Sequence, residues 1–517
     1  MRKLKPHRTV KIILAVILAI LTVPLAACQV VGPQGTVDPN TPNDPGTPTK
    51  RPTPNVTPIP SGQIVNLMAA LKANPDIKVP ETDAARTAIL NDFAVRLLRA
   101  QIAEREKKQE NNKNFLLSPY AIQSVLTMVA NGAAGDTLTE MLAVLGGEAL
   151  SVGEADSNKS GGKASDSGEA SQAGGEAGGN EPGNATSDAD KLRALNELML
   201  GTRRDSERGT QQLFTGGSIW YRTGAEDFRI HPDFLQTNAD FFGIPAFAAP
   251  FDKETVKTAN DLMDGQTKGQ IEEFITEFKP ENRAVLFSTL LFEGRWGWTL
   301  MPRTEQKTDD WFANIEGEKQ AVRVMLSGLE PVSTVKGGQA VLNPCSGGKY
   351  AMLLILPDEG TLPTDLLKSW TADDWHNAIT NLQRDRNSGD TQRSAAIAWP
   401  AFAFGTELDN MIPALQAMGM NLLFDERADL SAMVSGTTDL CISELGHKVR
   451  IFVNEHGTIP AASDYAPPLV HGAPPRILRF NRPFAYAIVD LNAGVPYFIG
   501  VMNSIDEIPP SNIKDWR

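Results

Sequence analysis

Six histidines, three cysteines and a run of small residues near the C-terminus are where this sequence could do chemistry. His7, His231, His376, His447, His456 and His471 are scattered along the chain, without the spacing that gathers ligands around a metal ion. No glycine-rich phosphate loop, no HExxH helix and no GxSxG turn is present. Nothing therefore marks a nucleophile, a metal or a cofactor, and an enzyme is the disfavoured class. The informative stretch is Val453-Asn454-Glu455-His456-Gly457-Thr458-Ile459-Pro460-Ala461-Ala462-Ser463. It begins as a strand, turns at a glycine and continues in small residues without hydrophobic periodicity. A polar-to-small segment follows, closed by Pro474-Pro475 and the strand-like Phe480-Asn481-Arg482-Pro483-Phe484. Taken alone, this is a loop of about twenty residues, and such loops are usually functional or unstructured.

The N-terminus is a targeting segment. Arg2, Lys3, Lys5, Arg8 and Lys11 precede an apolar run from Ile12 to Val23, too short to span a membrane comfortably. It ends in Leu25-Ala26-Ala27-Cys28, which resembles the lipobox of bacterial lipoproteins. That resemblance implies a signal peptide at 1–27, cleavage before Cys28, and lipidation of Cys28 by two or three acyl chains, enough for stable anchoring. Residues 28–80 read as the lipidated cysteine followed by a disordered, Pro-rich tether that lifts the remainder off the membrane. The expected location is the outer face of the cell membrane, with membrane contact through the lipid only. Of the remaining cysteines, Cys345 and Cys441 could pair in an oxidising compartment; the expectation is no structural disulfide.

The elements that must position the loop follow from pattern. Ala88, Ile89, Phe93, Leu97, Leu98 and Ile102 recur at helical spacing. Ser118-Pro119 can open a helix carrying Ile122, Val125, Leu126 and Val129. A further helix is predicted from Thr137 to about Leu145, another from about Val256 to Asp264, and another from Leu408 to Met418. Predicted strands are 218–221, 284–292, 351–356, 395–399, 448–453, 484–489 and 497–501. Gly/Ser-rich acidic sequence at about 147–190 cannot bury a core and reads as a disordered insert. Helices and strands without a repeating βαβ unit predict a mixed α+β fold. The net charge of −13 argues against nucleic acid as a partner.

The loop and its surroundings resemble those of serpins. The hinge of that family, Glu-x-Gly-Thr followed by small residues, is matched by Glu455, Gly457, Thr458, Ala461, Ala462 and Ser463, with Pro460 among them. Phe480 to Phe484 resembles the signature after the reactive loop, and Phe498-Ile499-Gly500 the closing strand. Upstream, 114–119, 131–137, Asn260, Thr267, Gly269, Ile271, Phe292-Glu293-Gly294-Arg295-Trp296, Asp429-Leu430-Ser431 and His447-Lys448 follow in family order. The resemblance implies one serpin domain at 81–507, with a large mixed main sheet, two smaller sheets, surrounding helices and an exposed loop. It implies a monomeric suicide-substrate inhibitor of serine proteases, with papain-like cysteine proteases as a second target class. Counting along the family loop places the cut at His471-Gly472, with Val470 or Leu469 as alternative reading positions. Ser118, Ser288 and His447 fall in the family's shutter, and Trp296 at its breach.

Two departures keep other outcomes open. Strand alternation puts Thr458, Pro460, Ala462 and Asp464 on one face, the core face if the loop inserts. Proline has no N–H for a ladder, and a buried carboxylate needs a partner or a proton. Either insertion still runs, or it stalls and the protein is a plain substrate or a non-inhibitory surface binding protein. In the shutter, Ala121 and Ser288 stand where a Ser and an Asn are usual in the family. Their loss of polar partners predicts a less tightly held closed form. A lipid-anchored enzyme or solute-binding lipoprotein is the alternative from another class.

Overall fold

The computed structural model describes residues 62–80, 84–147, 150, 187–207, 212–223, 229–297, 300–302, 311–389, 392–407, 409–435, 440–458 and 476–509. The expected signal peptide, Cys28, most of the acidic insert, and Pro460, Ala461, Ala462, Ser463, His471 and Gly472 lie outside them.

The main sheet has six strands in the order β1 (Val65–Asn66), β5 (Ala246–Ala249), β3 (Gln212–Arg222), β6 (Ala284–Glu293), β18 (Ile442–His447) and β16 (Asp409–Asn410). It is mixed: β3 runs parallel to β5 and antiparallel to β6, and β6 runs parallel to β18. Beside it, β15 (Phe402–Gly405) pairs with β19 (Arg450–Val453). A second sheet joins β11 (Ser333–Val335), β12 (Gly338–Pro344), β13 (Tyr350–Pro357), β21 (Phe484–Asp490), β22 (Val495–Met502) and β2 (Phe115–Leu117). A four-stranded sheet holds β20 (Ile477–Arg479), β14 (Ser394–Pro400), β10 (Val324–Pro331) and β7 (Met301–Pro302). Short pairs are made by β4 (Arg229–Ile230) with β17 (Val434–Ser435), and by β8 (Trp311–Ala313) with β9 (Lys319–Ala321). The expected α+β class is what the chain adopts, although the second sheet has as many strands as the first.

The helices are α1 (Ala84–Lys107), α2 (Pro119–Ala130), α3 (Gly135–Gly146), α4 (Asp188–Ser206), α5 (Pro232–Phe241), α6 (Lys253–Gln266), α7 (Pro363–Ser369), α8 (Ala372–Ser388) and α9 (Ile412–Ala417). Ser118 caps α2, its hydroxyl accepting from the Ala121 N–H, and Pro119 supplies the preset first turn. Every residue of α2 is buried, so this helix is a core element rather than an amphipathic surface one. α1 contributes Ile89, Phe93, Leu97, Leu98 and Ile102 to the same core.

A separate aromatic cluster covers the opposite face of the main sheet. Trp220, Phe247, Phe274, Phe278 and Phe287 pack there with Ala259 and Met263 of α6. With apolar layers on both faces, β6 is buried along nine of its ten residues and reads as an unbroken apolar run.

Three sequence expectations need correction. Residues 62–80, read as tether, are packed on the domain: Val65 and Asn66 add a strand to the edge of β5, and the Leu67 N–H bonds the Ala246 carbonyl at 2.8 Å. Asn74 and Ile77 are held there by Asp240 and Arg204. The insert ends earlier than expected, because Ser187 caps α4 through the Asp190 N–H. The helix expected from Leu408 is shortened to α9, because Asp409 and Asn410 pair with His447 and Gly446 instead.

Candidate functional site: a slot in the main sheet and the hinge above it

β18 lies beside β6 only as far as the pair His447–Ser288, and the Lys448 N–H to Ser288 carbonyl bond at 3.2 Å is the last rung. Beyond it the chain diverges. Val449 exchanges hydrogen bonds with Thr406, and β19 then pairs with β15, away from β6. From Thr289 to Glu293, the only ladder partner of β6 among the described residues is β3. At about 3.3 Å per residue, this one-sided stretch is about 17 Å long. A strand edge of that kind is a template for an additional strand.

His447 closes the lower end of the slot. Its Nε2 accepts the Ser118 N–H at 3.1 Å, which leaves Nδ1 as the protonated nitrogen, 3.3 Å from Ser288 Oγ. Burial lowers the imidazole to a pKa of about 3, so the ring is neutral at ordinary pH. The three expected shutter residues thus meet: the cap of α2, the last paired residue of β6, and the ring between them. Ser288 retains one polar contact to the histidine, and Ala121 contributes only its N–H to Ser118.

The upper end is closed by the hinge. Thr458 donates its N–H to the Gly294 carbonyl at 2.8 Å; its hydroxyl accepts the Gly294 N–H at 2.9 Å and reaches the Phe292 carbonyl at 3.2 Å. Thr458 is therefore already seated on the unpaired edge of β6. Gly457 has φ of +153°, and a Cβ there would collide with the Gly294 carbonyl oxygen. Only glycine lets the two backbones approach this closely. Trp296 braces the turn: its N–H bonds the His456 carbonyl at 3.0 Å and its indole Nε1–H the Asn454 carbonyl at 2.7 Å. The ring stands edge-on to Trp399 at 5.7 Å.

Glu455, only 1% exposed, receives Arg323 Nε at 2.6 Å, while its carbonyl accepts the Leu300 N–H at 2.9 Å. Sequence reasoning placed Glu455 in the hinge but missed Arg323, which no local pattern marks. It also missed Asn454, whose side chain accepts the N–H groups of His456 and Gly457 and shapes the turn. Gln266 at the end of α6 was missed as well; it bonds both the N–H and the carbonyl of Gly217 on β3, at 2.9 and 3.1 Å. The remaining landmarks hold local structure: Asn260 accepts from the Phe274 and Ile275 N–H groups, and the Thr267 hydroxyl from the Ile271 N–H. Asp429 accepts from the Ser431 N–H, and its own N–H bonds Thr137. Cys345 and Cys441 are free, buried thiols.

The family model described as serpin (serine protease inhibitor) matches residues 88–505. The chain belongs to the serpin family. It is 26% identical to mouse (Mus musculus) alpha-1-antitrypsin 1-3 over 424 residues, 80% of this chain and 87% of that protein. Mouse alpha-1-antitrypsin 1-1 matches to the same extent, 26% identical over 424 residues, 80% of this chain and 87% of that protein. Among solved serpins, thermophilic tengpin in its native state aligns with a TM-score of 0.68 at 25% identity, covering 86% of this chain and all of tengpin. Tengpin in its latent state aligns less well, at 0.61 and 23% identity over 83% of this chain and all of tengpin. Human thyroxine-binding globulin, in complex with thyroxine, shares the serpin fold at 0.62 and 18% identity, over 82% of this chain and 99% of that one. The segments 62–80 and 506–509 flank the matched serpin region.

Proposed function

We propose that this serpin is a lipid-anchored inhibitor of serine proteases, held on the outer face of the cell membrane and acting once per molecule. A protease serine attacks the His471 carbonyl; the bond to the Gly472 nitrogen breaks, and an acyl ester to His471 remains. The released segment, led by Thr458, then enters the slot between β6 and β19 and draws the acylated protease along. Strand addition of this kind uses main-chain hydrogen bonding to pull the loop in.

The observation that carries the reading is the position of Thr458 at the head of a slot in the main sheet. Insertion can begin there without first breaking a ladder between β6 and β19. Pro460 and Asp464, next on the same face, favour a second reading: a serpin whose insertion stalls and whose role is surface binding. Thyroxine-binding globulin, a structural neighbour solved with thyroxine bound, is a case of this fold carrying a ligand.

Incubation with a panel of serine proteases separates the two. The inhibitory reading expects an adduct that survives boiling in SDS, with mass spectrometry of the released peptide placing the cut at 471–472. Turnover by every protease that cuts the loop, with no adduct, leaves the second reading. For anchoring, Cys28→Ser is expected to shift the protein out of the membrane fraction; unchanged retention would refute the lipid anchor.

A further inference from the structure

Two strands bound the main sheet and its continuation past the slot, β5 on one side and β15 on the other. β5 reads Ala246-Phe247-Ala248-Ala249, and all four residues are buried. β15 reads Phe402-Ala403-Phe404-Gly405, with Phe402 and Ala403 buried. No charge or proline lies within either strand, and their pairing with β3 and β19 has no bulge. Charges, prolines and bulges are the devices that normally keep an edge strand from pairing with another chain.

Both edges are covered instead. Val65 and Asn66 pair with Ala248 and Phe247, and the Leu67 N–H bonds the Ala246 carbonyl. The chain that follows is pinned through its backbone. Gln236 donates to the Lys72 carbonyl at 3.0 Å, Arg204 to the Ile77 carbonyl at 2.7 Å, and Asp240 accepts the Asn74 N–H at 2.8 Å. On β15, the Ala403 N–H bonds the Glu507 carbonyl at 2.9 Å, in an antiparallel bridge. Arg450, opposite Gly405 on β19, grips the Glu507 carboxylate at 2.9 and 3.0 Å, and Arg323 holds the Pro509 carbonyl.

The covers come from opposite ends of the chain, and both lie outside the matched region 88–505. They carry what the strands beneath them lack. The first runs on into Lys72, Pro75, Asp76, Lys78 and Pro80; the second is Asp506-Glu507-Ile508-Pro509. Charge and proline on the outermost segment deny a further strand its ladder.

Self-complementarity identifies the occupant that the covers exclude. A second copy presents the same apolar edge at the same length. Antiparallel pairing of β5 with β5, or of β15 with β15, needs only a two-fold axis.

We infer that residues 65–67 and 506–509 are edge guards that keep the protein monomeric, and that β5 and β15 beneath them are docking edges for a second copy of this chain. The inference stands whether or not the loop traps a protease.

The test follows the full protein, purified in detergent, by sedimentation velocity over a range of concentrations. Leu67→Pro removes the N–H that bonds Ala246, and Glu507→Lys sets like charges together at Arg450. The parent is expected to stay monomeric. Each variant is expected to form a reversible dimer of about twice the parent's mass, and the double variant, open at both edges, longer chains. Adding Phe404→Lys to Glu507→Lys is expected to restore the monomer, because the open edge then carries a charge of its own. Circular dichroism identifies a variant that has lost its fold; Glu507 and Arg450 are both partly exposed, so Glu507→Lys remains readable if Leu67→Pro does not fold. Monomers at every concentration for the folded variants would overturn the inference, as would a parent that already dimerises. So would association abolished by cutting the loop beforehand, since the contact would then be the loop and not an edge.

Discussion

Glu455 and Arg323 meet at 2.6 Å although 132 residues separate them in the chain. The carboxylate is almost fully buried, while the guanidinium keeps about a quarter of its surface in solvent. Arg323 also bonds the Pro509 carbonyl, beyond the end of the family match. The hinge is therefore anchored at Glu455 as well as at Thr458, by a charge from the residue preceding β10 that is shared with Pro509.

Removing one partner of a buried pair costs more than removing both, because the survivor is left uncompensated. Arg323→Met is expected to destabilise the protein by about 3 kcal/mol, and Arg323→Met with Glu455→Gln by clearly less. Urea unfolding of the two single variants and the double variant gives the coupling directly. Additive losses would mean that the pair is not a functional unit.

Thr458 is buried, and its hydroxyl fits between two backbone groups of β6. A charge there would have to be desolvated as the strand enters, without a partner. Thr458→Arg is expected to convert trapping wholly to turnover: the loop is cut at an unchanged rate, and the adduct band falls below a tenth of the parent's. Densitometry of boiled reaction mixtures reads both numbers. An undiminished adduct would show that insertion does not start at Thr458.

Gln266 bonds both backbone groups of Gly217, and α6 otherwise buries only Thr255, Ala259 and Met263 against the sheet. A Cβ on Gly216 would collide with Thr289 and approach Gln266 Oε1 at 2.8 Å, so this glycine makes room for the helix end. β3 and β6 must shift if a strand enters beside them, and α6 rides on that half of the sheet. Gln266→Ala removes two hydrogen bonds, a loss of about 1–2 kcal/mol. The variant is expected to melt lower yet trap faster, with a larger ratio of trapped to cleaved product. A lower melt with an unchanged ratio would make Gln266 a purely structural clip.

What could be read from the sequence follows physical range. Gly457 and Thr458 were legible because their constraint is local: one needs a missing Cβ, the other a small hydroxyl, and both sit in one short motif. Strands such as Ala351–Leu356 were legible because burial on both faces leaves an apolar run. β18 was not, because Ser443, Glu444 and Gly446 interrupt its pattern; its identity comes from backbone pairing with β6. Residues 62–80 looked like tether because they continue a Pro-rich stretch and are broken by Pro75 and Pro80, yet their main-chain groups bind β5 and Arg204. Arg323 carried no signal at all, since one arginine just before an ordinary strand gives no hint of a buried glutamate far along the chain.

The neutral His447 ring makes stability depend on pH in a definable window. In the unfolded chain this imidazole takes up a proton near pH 6.5, whereas in the folded state burial delays that to about pH 3. Between these values the unfolded state holds the extra proton, so the contribution of His447 is complete above about pH 6.5 and is lost as pH falls towards 3. The slope is about 1.4 kcal/mol per pH unit for the single group. His447→Gln keeps an acceptor for the Ser118 N–H but removes the titration. Unfolding free energies measured from pH 7.5 to 4.5 are expected to fall more steeply for the parent, with the two curves converging as the solution becomes acidic. Protonation of the folded ring, which would break the bond to the cap of α2, is reached only near pH 3, so spontaneous loop insertion should accelerate in the parent as that pH is approached and not in the variant. Parallel curves would mean that the ring between Ser118 and Ser288 is not the group that titrates.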